Sequence, residues 1–147
     1  MRKHDCLLFL LLAVSLLLFN VCITFGAPNK AIKVEAVGFF NHPPLRETRI
    51  TIQEVCKQFG KGVELILHDE MTEDGQKFMK EKGLTGHVPT AIYINGSLAH
   101  KIDDRVVVFR DFVGQNWTGQ DLQQVIELNL NGKKTAIKAP SGATTGW

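Results

Sequence analysis

The pattern of this chain predicts an α/β domain with a mixed central sheet, and three observations carry that reading. A strand, an amphipathic helix and a second strand follow one another directly, which is the parallel crossover unit. An Asn-Gly pair between two apolar runs marks a β-hairpin further on, and a capped amphipathic helix closes the pattern.

Residues 33–40 (KVEAVGFF) mix β-branched and aromatic residues with little polarity, as a strand buried on both faces requires. His42, Pro43 and Pro44 end it, because proline removes a backbone donor and restricts the residue before it. Over residues 46–59 the apolar positions Ile52, Val55, Cys56 and Phe59 fall on one helical face, and Gly60 stops the helix. Residues 63–67 (VELIL) read as the second strand. Thr72 caps a second helix that runs to about Lys82, with Glu73 and Asp74 complementing the dipole of its first turn.

Residues 91–94 (AIYI), the Asn95-Gly96 pair and residues 98–102 (LAHKI) form the expected hairpin. His100, in the middle of its second strand, reads as a surface residue. Residues 106–112 (VVVFRDF) either lengthen the hairpin or add an edge strand. Thr118 with Asp121 resembles a capping box, and Leu122, Val125, Ile126 and Leu130 give the last helix its apolar face. The element order is therefore βαβ, helix, β-hairpin, C-terminal helix.

The chain has 147 residues, with 17 Lys plus Arg against 15 Asp plus Glu and a formal charge of +2. No basic stripe follows a phosphate backbone, which argues against a nucleic-acid partner. Arg2 and Lys3 precede an apolar run that begins at Cys6, and small residues at Thr24, Gly26 and Ala27 supply a cleavage site. Residues 1–27 therefore read as a signal peptide or an uncleaved anchor, placing the domain outside the cytoplasm, periplasmic or secreted. Residues 32–130 are the expected domain, and the polar residues 131–147 read as a flexible tail, with no role assigned to Trp147. Cys6 and Cys22 lie in the first segment, so a cleaved chain keeps Cys56 alone and has no intramolecular disulfide.

The element order, joined to Val88-Pro89-Thr90 leading into the hairpin strand, resembles the thioredoxin fold over residues 33–130. The resemblance implies a three-layer domain in which Pro89 is cis and faces the functional end of the sheet. In that family a Cys-x-x-Cys opens the first helix, where the dipole and the second thiol support disulfide exchange. The corresponding place here holds Asn41-His42-Pro43-Pro44-Leu45-Arg46-Glu47-Thr48, and the family's buried acidic helper would fall at Gly38. The chain thus looks like a divergent, exported member without a redox pair, to which no catalytic residue and no cofactor is assigned.

The expected function is that of a non-catalytic binding or accessory protein. The His42, Pro43, Pro44 loop and the His87, Val88, Pro89 loop would flank a groove for an extended peptide or a protein partner, as the corresponding surface does in the family. Two alternatives stand beside it. Cys56 acts as a single reactive thiol, against its reading as a small core hydrophobe; or His42 and His87 bind a metal, with His68 and Asp69 following the second strand at the same end. Asn95 and Asn116 each head an N-glycosylation triplet, although a turn and a helix cap account for both.

Overall fold

The structure is a computed structural model that describes residues 30–146. The expected signal peptide and Trp147 lie outside the described residues. The chain is a mixed α/β fold whose strands form two small sheets.

Strand β1 (Ile32–Gly38) is central to the first sheet, paired in parallel with β2 (Val63–Asp69) and antiparallel with β3 (Thr90–Ile94). Its two faces follow the period of two along a strand. Val34 and Ala36 join Ile92 and Ile94 of β3 in one apolar cluster, whereas Val37 joins Ala91 and Tyr93 in another. Helix α1 (Arg46–Gln58) brings Ile52, Val55 and Cys56 to the first cluster. Helix α2 (Glu73–Glu81), capped by the Thr72 hydroxyl, brings Phe78 to the second. Helix α3 (Gly119–Leu130) adds Leu122, Val125 and Ile126 to the first cluster.

The hairpin differs from its expected form. Asn95 and Gly96 both take positive φ, 49° and 82°, as a tight two-residue hairpin turn demands, and Ile94 pairs with Ser97. The chain then leaves β3 after that single pair. Strand β4 (Ala99–Ile102) pairs with β5 (Arg105–Val108) and with β6 (Ala136–Ile137) in a second three-stranded sheet, so the one mixed central sheet gives way to two. Residues 105–111 explain the split, because they are long enough to serve two partners. Their first half is β5, and their second half bonds β3 through Ile92 N to Phe109 O at 2.8 Å and Asp111 N to Thr90 O at 2.8 Å.

Two further expectations are corrected. No cis peptide bond occurs among the described residues, so the Val88-Pro89 bond is trans. Proline merely narrows the trans preference to roughly 0.5–1 kcal/mol, and the residue types leave that preference in place. His100 is fully buried rather than at the surface, because β4 lies between β5 and β6. Its Nδ1 meets the Thr135 hydroxyl at 2.8 Å, and its Nε2 lies 3.1 Å from the Ser97 carbonyl.

Residues 131–146, read from composition as a tail, carry contacts to the domain that composition does not disclose. Thr135 O accepts from Lys101 N at 2.8 Å, β6 extends the second sheet, and Ala143 is buried with the second cluster. Backbone bonding explains the difference, since Gly, Ser and Thr offer the same main-chain donors and acceptors as any strand residue. Among the described residues no helix is long and apolar enough to cross a membrane.

Candidate functional site

The end of β1 and the two loops nearest it build the candidate site. After Gly38 the chain turns, with His42 N donating to Phe39 O at 2.9 Å. His42 then caps a 3-10 turn over Pro43–Leu45, whose first position is proline and which leads straight into α1. The Phe39 and His42 rings stack with centroids 5.4 Å apart. Opposite them stands the loop that ends in Pro89. Gly38 is the residue that lets these segments meet: a Cβ there would lie 2.7 Å from the Pro89 carbonyl oxygen. The absence of a side chain at Gly38 thus has a steric reason.

The cavity between the loops measures about 190 Å³ and is lined by Phe39, His42, Pro44, Leu45, His87, Pro89 and Phe112. Of the residues proposed from sequence, His42, Pro44, His87 and Pro89 therefore meet around one space. Pro43 lines a neighbouring hollow of about 320 Å³ with Phe40, Asn41, Arg46 and Arg49. Val88 faces the second core cluster and is buried. Sequence reasoning missed Phe39, Leu45 and Phe112. Phe39 and Phe40 lie beyond the end of β1, where strand alternation no longer applies, so the sequence carried no signal for which of the two lines the cavity.

The walls are mostly apolar, with two imidazoles among them. Glu70 lies within electrostatic reach of His87; burial raises the Glu70 carboxyl above its ordinary range, and His87 partly counteracts the shift. This combination suits an apolar or proline side chain with a polar neighbour. Among the described residues no group of three or more His, Cys, Asp and Glu side chains has a metal-binding arrangement.

Cys56 lies away from this cavity. It is the one cysteine among the described residues, sits in the first cluster at 4% exposure, and burial pushes its thiol up to about 12. Such a thiol is a poor nucleophile at neutral pH.

His68 and Asp69 do not join His42 and His87 around the cavity. His68 packs under α2, its ring stacked on Phe78 at 4.1 Å and its Nδ1 2.6 Å from Asp74 Oδ2. Its Nε2 lies 4.0 Å from Glu35 Oε1, which itself accepts from Lys33 Nζ at 2.7 Å. Glu35, inside the otherwise apolar residues 34–40, was the sequence signal for this polar group. Asp69 instead accepts from the Asn41 side-chain amide at 3.1 Å and so ties the end of β2 to the turn after β1.

No protein-family model matches the chain, and neither a curated protein nor a solved structure does so.

Proposed function

We propose that this chain is an exported, thioredoxin-like domain without a redox-active cysteine pair, and that it binds an extended peptide or a protein partner. The observation that carries this reading is the shared cavity of His42, Pro44, His87 and Pro89, walled further by Phe39, Leu45 and Phe112, with no described thiol among its walls. A volume of about 190 Å³ accommodates one apolar or proline side chain of such a segment. The element order supports the thioredoxin-like assignment; the trans bond before Pro89 and the second sheet depart from it. Export, and any membrane attachment, rests on the apolar segment that begins at Cys6.

The test is an NMR titration of the isotope-labelled protein with an acetylated peptide of alternating proline and phenylalanine. Amide shifts are expected around residues 39–45, 84–90 and 112, and Phe39→Ala should weaken binding by roughly tenfold through loss of an aromatic anchor. Shifts concentrated elsewhere, or equal affinity in the variant, exclude the groove.

A further inference from the structure

We propose that residues 142–146 are the resident occupant of a strand-pairing edge at residues 85–87, and that a peptide with the same turn and the same parallel pairing at Thr85 takes their place. The proposal rests on the groove reading for its biological use, because the edge runs directly into His87 and Pro89 of that groove.

The pairing is explicit. Thr85 and Thr145 form a parallel bridge, with Thr85 N donating to Thr144 O at 3.0 Å and Gly146 N donating to Thr85 O at 2.6 Å. Arg110 holds the same segment from the other side: its Nη1 reaches the carbonyl oxygens of Gly142, Ala143 and Thr145 at 3.1, 2.9 and 3.0 Å. All five bonds end on main-chain atoms of the segment, which turns at Gly142 with φ of 80° and Thr145 N donating to Gly142 O at 3.0 Å, so they would serve any segment that takes the same turn.

Two positions make the edge selective. Ala143 is 8% exposed and packs in the cluster that contains Val88 and Leu84, which requires a small apolar residue there. At Gly146 a Cβ would lie 2.1 Å from the carbonyl oxygen of His87, which requires glycine. The ligand class is therefore a short segment that turns, with a small apolar residue followed three positions later by glycine. Thr85, Gly86, His87 and Thr145 are all exposed, and Ala143 is the one buried residue among 142–146, so release of the segment uncovers little apolar surface. An occupant tethered in the same chain competes at high effective concentration and lowers the apparent affinity for a peptide in solution.

The test uses the full chain and the peptide acetyl-Ser-Gly-Ala-Thr-Thr-Gly-amide. In the unaltered protein the Thr85 amide should exchange slowly and the peptide should bind weakly. Gly146→Val, which cannot dock against His87, should release Thr85 to rapid exchange and raise peptide affinity by roughly tenfold. The peptide should then restore protection, and its counterpart with valine in place of the last glycine should not. Arg110→Gln should act in the same direction.

Unprotected Thr85 in the unaltered chain, unchanged exchange in Gly146→Val, or failure of the peptide to restore protection overturns the proposal. Failure of the proline and phenylalanine peptide at Phe39 leaves the edge intact and removes only the groove. The two ideas therefore fail separately.

Discussion

Cys56 shows how position along a helix decides chemistry for a single side chain. It lies ten residues into α1 on the face that meets β1, where burial opposes the charge of a thiolate. With the thiol raised to about 12, roughly one molecule in ten thousand carries the thiolate at pH 8. Iodoacetamide followed by mass spectrometry should therefore leave the folded protein unlabelled and modify Cys56 once urea unfolds it. Prompt labelling of the folded chain contradicts this and revives a single-thiol activity.

His100 gives the opposite sign of titration. Burial lowers its pKa below the ordinary 6.5, and the hydrogen bond to the Ser97 carbonyl offsets this in part. The unfolded chain therefore binds the proton more readily than the folded one. The associated stability is complete above pH 6.5 and is lost as the pH falls through the folded-state value. Urea midpoints should drop between pH 7 and pH 5, and His100→Gln should flatten that dependence. An equal drop in the variant assigns the effect to other groups.

Among the elements, α3 depends most visibly on its first turn. The Thr118 hydroxyl accepts from Asp121 N, and Asp121 returns the bond to Thr118 N, which satisfies donors that a helix start leaves open. Arg105, at the start of β5, pairs with the same carboxylate, so one acid joins the helix to the second sheet. Burial pushes the Asp121 carboxyl up, but Arg105 and Thr118 outweigh it and hold the group below its ordinary 3.8. The stabilisation is present above 3.8 and disappears as the pH falls through the folded-state value.

Asp121→Ala should cost about 1–2 kcal/mol at pH 7, as loss of a cap does. In urea titrations the gap from the unaltered protein should narrow near pH 3. A gap that stays constant down to that pH shows that packing, rather than charge, carries the effect.

At the scale of the whole molecule, two apolar clusters on opposite faces of β1 hold the fold, and the candidate groove opens where β1 ends. That arrangement leaves the residues 42–44 and 87–89 that flank the groove outside both clusters, except at Val88, whose burial anchors the loop that carries His87 and Pro89. Gly38 sets the spacing, because β1 and the Pro89 loop approach too closely for any side chain there. The second sheet adds cover for β4, and residues 142–146 close the far side of the Pro89 loop through Thr85 and Arg110.

Much of this was legible along the chain. The apolar spacing of Ile52, Val55 and Cys56 located α1 and its buried face, the run from Lys33 located β1, and the Asn95-Gly96 pair located a turn with two positive φ angles. Side-chain size, polarity and φ preference are properties of single residues and their near neighbours, so they survive in the sequence. His42 and His87 were legible as candidates because His42 adjoins Pro43 after the first strand and His87 lies two residues before Pro89, ahead of the hairpin strand.

What the sequence by itself determined, then, is the order of the elements from β1 to α3, the apolar faces of the helices and the lack of a Cys-x-x-Cys pair. Only the tertiary structure decided that residues 105–111 divide between β4 and β3, that His100 is buried, that Phe112 joins the cavity, and that residues 142–146 lie against Thr85. The physical reason is common to most of these. Strand partners are chosen by main-chain groups that every residue shares, and burial depends on which distant segment arrives to cover a side chain.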